Sequence, residues 1–192
     1  MDVRNFIKVF DNTNNPELIG SFIKYLNNQT FEKAKIVINK NNPIKVNEDI
    51  RRTEAFNFNV DENNLSKTHW FRYWSKLFNM YLEKYHKETN LNTSSSHITS
   101  LEALKYTEGG FYKPHTDYHL KFPRNVSLVY FLNNDYKAGE LSFYNPSDYN
   151  EKYLTIEPIP GRLVMWPSNY LYPHSVNPVK KGTRFVLVSW IS

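Results

Sequence analysis

Cysteine is absent from the 192 residues, and its absence removes structural disulfides, zinc ribbons, iron–sulfur clusters, CxxC redox motifs and thiol nucleophiles together. Any metal would have to be held by nitrogen and oxygen. The chain also lacks a run approaching the roughly 18 apolar residues of a membrane span, and its start, MDVRNFIKVF, has no apolar signal-peptide core. A soluble cytoplasmic protein with no membrane partner is the expectation. A clustered basic patch is missing as well. Lys plus Arg (24) exceed Asp plus Glu (19), giving a net charge of +5, but the charges are scattered, so nucleic acid is not the expected partner. No internal repeat or low-complexity linker divides the chain, and its length suits one domain over 1–192, expected to act as a monomer.

What the chain does have changes character near residue 95. Before that point, Asn15-Pro16-Glu17 opens a segment in which Leu18, Phe22, Ile23 and Leu26 recur at helical spacing, and Asn27–Asn28 ends it. Ala34 to Asn39 reads as a short strand. The polar stretch 40–64 reads either as a mobile loop or as a weakly signalled hairpin. Ser66 to Lys87 is the strongest helical pattern, with Trp70, Trp74, Phe78, Tyr81 and Tyr85 forming an aromatic packing stripe.

Beyond residue 95, turn residues separate short runs that read as strands: 97–106, 112–115, 125–132, 140–144, 154–156, 162–166, 172–176 and 183–191. Many short strands in half a chain predict a double-sheet jelly roll or barrel, with the N-terminal helices covering one outer face. The fold class is therefore α+β, mainly β.

Residues two apart on an extended backbone face the same way, so His115 and Asp117 present an imidazole and a carboxylate to one point. His174 begins another extended run and can supply a third ligand. Two His and one carboxylate with an open opposite face form the non-heme Fe(II) oxygenase arrangement. The pair alone is weak, since chance gives about 0.6 His-x-acid pairs in a chain of this composition.

Further support comes from residues 183–191, where Arg184, Val186, Val188 and Trp190 share one face. An Arg heading an apolar face needs an anionic partner. A dicarboxylate co-substrate chelating the metal by one end would provide it at the other, in the planar geometry Arg prefers. An Arg at a strand mouth that reaches solvent or a nearby Glu is the competing reading. The other histidines, His69, His86, His97 and His119, read as surface or packing residues.

These motifs occur in an order that resembles the 2-oxoglutarate and Fe(II)-dependent dioxygenases of the prolyl 4-hydroxylase type. The resemblance runs over about residues 98–192. It rests on Tyr106-x-x-Gly109-x-x-Tyr112-x-x-His115-x-Asp117, Val126 to Asn133, Gly139 to Phe143, Pro160 to Pro167, His174 to Pro178 and Gly182 to Trp190. It implies a double-stranded β-helix (jelly roll) as the catalytic core, residues 95–192, with 1–94 as helical support and mobile lid. It implies His115, Asp117 and His174 as iron ligands and Arg184, ten residues after His174, as the holder of the far carboxylate of 2-oxoglutarate. Arg stands here where collagen-type enzymes have Lys.

The same resemblance places Tyr106, Leu141, Val176 and Phe131 against the co-substrate, with Phe131 where some relatives have a tyrosine. Tyr112 and Trp190 fall near the prolyl substrate, and Arg52, in Ile50-Arg51-Arg52-Thr53, falls in the element that closes over a peptide. The implied cofactors are Fe(II), 2-oxoglutarate and O2, with ascorbate as a further expectation, and the implied partner is a proline-containing peptide or protein. Nucleobase dealkylation, a small-molecule substrate and a non-catalytic jelly-roll binding module are the alternatives.

Overall fold

In a computed structural model, the described residues are 2–36, 45–91, 98–119 and 123–192, with the Thr99 side chain excepted. The strands before the second helix are β1 (Lys8–Phe10), β2 (Glu32–Lys33), β3 (Arg51–Arg52) and β4 (Glu54–Phe58). Those after it are β5 (Ile98–Tyr106), β6 (Phe111–His115), β7 (Val126–Phe131), β8 (Lys137–Ala138), β9 (Leu141–Asn145), β10 (Asp148–Ile156), β11 (Leu163–Pro167), β12 (His174–Val176), β13 (Val179–Lys181) and β14 (Arg184–Ile191). The helices are α1 (Pro16–Asn27) and α2 (Leu65–Thr89). Both expected helices are present, each running a residue or two beyond its reading from the sequence.

Their ends follow local chemistry. The Asn15 side chain accepts from the Glu17 N–H and Pro16 occupies the first turn of α1, while the Asn64 side chain accepts from the Lys67 N–H to start α2. Asn90, in the left-handed region at φ 53°, stops α2.

Seven strands form a major sheet in the order β1-β11-β7-β14-β5-β4-β2, and five form a minor sheet in the order β10-β9-β12-β6-β3. A β8–β13 ribbon completes the strands. The major sheet separates two apolar layers. On its outer face Phe22, Trp74, Phe78 and Tyr85, all fully buried, pack against Tyr130, Leu163, Phe185 and Leu187. On its inner face Leu104, Val129, Val164 and Val186 meet Leu141 and Phe143 of the minor sheet. Burying such side chains contributes about 1.5–3 kcal/mol each, so the helical layer anchors the sheet while the space between the sheets is left for a site. This is the expected jelly roll with helices on one face.

The N-terminal half departs from expectation in a specific way. The 40–64 stretch contributes β3 and β4, two true members of the sheets, and Glu54–Phe58 pairs along β5 from Lys105 to Leu101. Phe56 and Phe58 face the helices while Ala55 and Asn57 face inward. The polar inward face hides the alternation that would have marked a strand. The Ala34–Asn39 strand is displaced: β2 precedes it, Ile36 makes an isolated bridge to Lys45, and 37–39 lie outside the described residues. So do 40–44 of the expected lid.

Candidate active site

Strand pairing assembles the site. β12 lies between β6 and β9, with His174 opposite His115 on one side and Phe143 on the other. Asp117 follows two residues after the end of β6. One ligand atom from each of His115, Asp117 and His174 falls within 4.8 Å of the other two. His115 Nε2 is 3.9 Å and His174 Nε2 3.6 Å from the Asp117 carboxylate. Each ring is turned by its other nitrogen: Nδ1 of His115 lies 2.9 Å from the Lys113 carbonyl and Nδ1 of His174 3.0 Å from the Tyr172 carbonyl. A carbonyl can only accept, so each Nδ1 must carry the proton, and both Nε2 lone pairs face the common point.

Packing holds the rings. Tyr112 stacks on His115 with centroids 3.5 Å apart at 16°, and Trp166 meets His174 edge-on at 4.9 Å. Burial, then the neighbouring His174, pushes the His115 imidazole down to about 3. For Asp117, burial pulls upward, but His174, His115 and the Ser127 hydroxyl outweigh it and the carboxyl is lowered. A neutral His115 imidazole and an ionised Asp117 carboxylate are the states in which these groups ligate a metal. A 2-His-1-carboxylate donor set of nitrogen and oxygen fits Fe(II).

A cavity of about 450 Å³ connects this cluster to Arg184. Arg184 is 1% exposed, and among the described residues none of its three guanidinium nitrogens has a hydrogen-bond partner. It starts β14 opposite Tyr106, whose ring lies 4.9 Å below the guanidinium, with the Phe131 ring at 5.4 Å. A buried, unpaired cation at one end of a cavity whose other end holds a metal-type cluster is what a bound dicarboxylate would complete. The Tyr136 hydroxyl lies in the field of Arg184, which draws its pKa down against a larger upward push from burial.

Of the residues singled out in the sequence, His115, Asp117, His174, Arg184, Tyr106, Leu141, Val176, Tyr112 and Trp190 all line this cavity. Phe131 is fully buried and meets it through Arg184. Arg52 does not line it: successive residues on β3 face opposite ways, so Arg52 is exposed over the Phe111 ring while Arg51 turns inward over Tyr112 at 4.8 Å.

Among the lining residues that sequence reasoning missed are Arg51, Asn57, Glu102 and Arg124. Glu102 had a signal, since it stands four before Tyr106 on the same face of an expected strand. Arg124 is placed by the chain's return from β6 to β7 and lies 3.8 Å over the Trp190 ring.

An inward triad of two His and one carboxylate between the sheets of a jelly roll, with a buried Arg beside it, is the arrangement that the resemblance to 2-oxoglutarate/Fe(II) oxygenases implies. Comparison with known proteins agrees: residues 101–192 match the family described as the 2OG-Fe(II) oxygenase superfamily. The chain is 37% identical over 102 residues to a PKHD-type hydroxylase of Crocosphaera subtropica, covering 50% of this chain and 43% of that protein. It is 34% identical over 105 residues to one of Aliarcobacter butzleri, covering 50% and 44%. The matched stretch thus spans less than half the length of these curated relatives.

Among solved structures, a prolyl hydroxylase from Trichoplax adhaerens, in complex with a hypoxia inducible factor oxygen degradation domain peptide fragment, superposes with a TM-score of 0.77 at 21% identity, covering 97% of this chain and 83% of that one. A Pseudomonas putida prolyl-4-hydroxylase gives 0.70 at 18%, covering 97% and 92%. These likenesses agree with the resemblance read from the motifs: residues 101–192 are similar to the 2OG-Fe(II) oxygenase superfamily, and the fold is that of the solved prolyl hydroxylases. Among the described residues, no helix is long and apolar enough to cross a membrane.

Proposed function

We propose that the protein is an Fe(II)- and 2-oxoglutarate-dependent dioxygenase that hydroxylates a prolyl residue, at its 4-position, in a peptide or protein. The observation that carries this reading is the sharing of one cavity by the His115–Asp117–His174 cluster and the unpartnered Arg184 guanidinium.

His115, Asp117 and His174 would hold the iron. Three protein ligands leave positions for a bidentate 2-oxoacid and for O2. The bound metal would supply the oxidising power, with one oxygen atom going to the substrate and the other to succinate as CO2 leaves. The residues of the chain do the positioning. Arg184 pairs with the far carboxylate of 2-oxoglutarate through two parallel N–H donors, and the Tyr106 and Phe131 rings fix the plane of its guanidinium. Leu141 and Val176, both buried, form apolar walls that keep water from the co-substrate. Tyr112 and Trp190 flank the open side, where a proline ring packs well on aromatic faces. Burial pushes the Tyr112 hydroxyl up to about 12, so it remains a hydrogen-bond donor at neutral pH.

The test is incubation with Fe(II), ascorbate, 2-oxoglutarate and proline-containing peptides, read by mass spectrometry. Addition of one oxygen to proline, matched by succinate and abolished in His174→Ala, supports the reading. Turnover that survives His174→Ala, or no oxygen added to any proline substrate, overturns it.

A further inference from the structure

The mouth of the cavity holds an ionisable group that the proposed chemistry leaves unused. Glu102, in mid-β5, lies opposite Asn57 of β4 on one side and Val188 of β14 on the other, and all three line the cavity. An acid on the inner face of a sheet whose neighbours are Leu104 and Val188 bears a desolvation cost that an exposed acid does not. Burial pushes its pKa up, against the opposing fields of Arg51 and Arg124.

Those two guanidinium groups stack on rings, which leaves N–H donors available. Arg51 lies over Tyr112 and Arg124 over Trp190. Among the described residues, Glu102 closes no salt bridge. Beside the aromatic pair that flanks the reacting position, the cavity thus presents the Glu102 carboxylate together with Arg51 and Arg124, while Glu32, Lys33 and Lys35 add further charges of both signs to its lining. An internal peptide residue is uncharged along its backbone and brings no cation to Glu102, leaving it only the fields of the two arginines. A residue with its own α-ammonium beside a carbonyl or carboxylate matches the set in sign: the nitrogen donates to Glu102, and the oxygens accept from Arg51 and Arg124.

We propose that Glu102 is a specificity-determining residue that accepts from a free α-ammonium on the reacting residue of the substrate, with Arg51 and Arg124 receiving the adjoining carbonyl or carboxylate. The substrate class is thus an amino-terminal or free imino or amino acid. This rests on the co-substrate reading of the same cavity. It deepens that reading by fixing which end of a chain enters.

The experiment measures binding to the full chain loaded with Mn(II) and 2-oxoglutarate, by calorimetry. The ligands are free L-proline, a tripeptide beginning with proline, and the same tripeptide N-acetylated. The expected result is that a ligand with a free α-amine binds about 10- to 100-fold more tightly than the acetylated peptide, as loss of one charge-assisted hydrogen bond requires. Glu102→Gln is expected to erase that preference while 2-oxoglutarate binding persists. The first two ligands separate a free acid from a chain terminus.

Equal binding of the acetylated and free peptides, a preference unchanged in Glu102→Gln, or no binding by any free amine overturns the proposal. If proline within an acetylated peptide is hydroxylated and the preference is absent, this inference fails while the hydroxylase reading stands. If Mn(II) and 2-oxoglutarate do not bind, the hydroxylase reading fails first.

Discussion

Replacing Arg184 by Met tests the site through two measurements that must move in opposite directions. In the protein without ligands, the Arg184 guanidinium is buried at 1% exposure with no hydrogen-bond partner for its three nitrogens among the described residues, and the faces of Tyr106 and Phe131, with the nearby Tyr136 hydroxyl, compensate it in part. Two cation–π contacts return about 1–4 kcal/mol together, against a desolvation penalty of several kcal/mol. A Met of similar length keeps most of the packing and removes the charge. The ligand-free variant is therefore expected to be more stable by about 1–3 kcal/mol, which for a chain of this size is a rise in Tm of roughly 2–12 °C. Binding goes the other way. Losing the partner of a buried carboxylate costs about 3–5 kcal/mol, a drop in 2-oxoglutarate affinity of roughly 150- to 5,000-fold. Thermal melts with and without Mn(II) and 2-oxoglutarate read both effects: wild type rises with ligand, and the variant starts higher and does not move. A ligand-free variant that melts lower, together with an undiminished ligand shift, would refute the assignment of Arg184 as an anion holder.

Further outcomes follow from other parts of the molecule. His174→Ala leaves two ligands of three, and equilibrium dialysis with Mn(II) is expected to show loss of stoichiometric binding at micromolar metal. The metal-free protein is expected to lose stability on acidification. With the His115 imidazole held near 3 in the fold and near 6.5 in the unfolded chain, only the unfolded state takes up that proton between those values. Stability is fully present above about pH 6.5 and falls below it. Between pH 7 and pH 5 the loss from this group is about 2 kcal/mol, measurable as a lower urea midpoint. The lowered Asp117 carboxyl adds a loss in the same direction at still lower pH. Trp74→Ala removes a fully buried ring from the helix–sheet layer and is expected to cost about 3–5 kcal/mol in denaturant titration. Gly139→Ala places a Cβ 2.8 Å from Val179 Cγ2 and 3.3 Å from Arg184 Cδ at a φ of 72°, so calorimetry should show weaker 2-oxoglutarate binding as well as lower stability.

The triad was legible because its chemistry is written in local spacing. His115 and Asp117 are two apart on an extended chain, and His174 completes a known order of motifs. The helices were legible for the same reason, since the Trp70–Tyr85 stripe keeps one period through α2. The wall of the cavity was not. Arg51 comes from β3 of the minor sheet, Glu102 from β5 of the major sheet and Arg124 from the connection before β7, and no short window of sequence contains the packing that brings them together. Arg51 and Arg52 show the limit clearly: the dipeptide is plain in the sequence, but which of the two turns inward depends on the register of β3 against β6, where Arg51 faces Tyr112. Strand β4 was lost to its own function, because Asn57 is polar where a core strand would be apolar.

One residue step along β14 separates two kinds of selection. Phe185, Leu187 and Ile191 enter the helical layer, whereas Arg184, Val186, Val188 and Trp190 look into the cavity. Substitutions at the first set change how tightly the molecule holds together, and those at the second change what it can accept, with little exchange between them. A lineage could retune its ligand through Val188 or Trp190 while its durability stays untouched. An insertion or deletion of a single residue would swap both properties at once. The strand is thus open to point mutation and closed to changes in length.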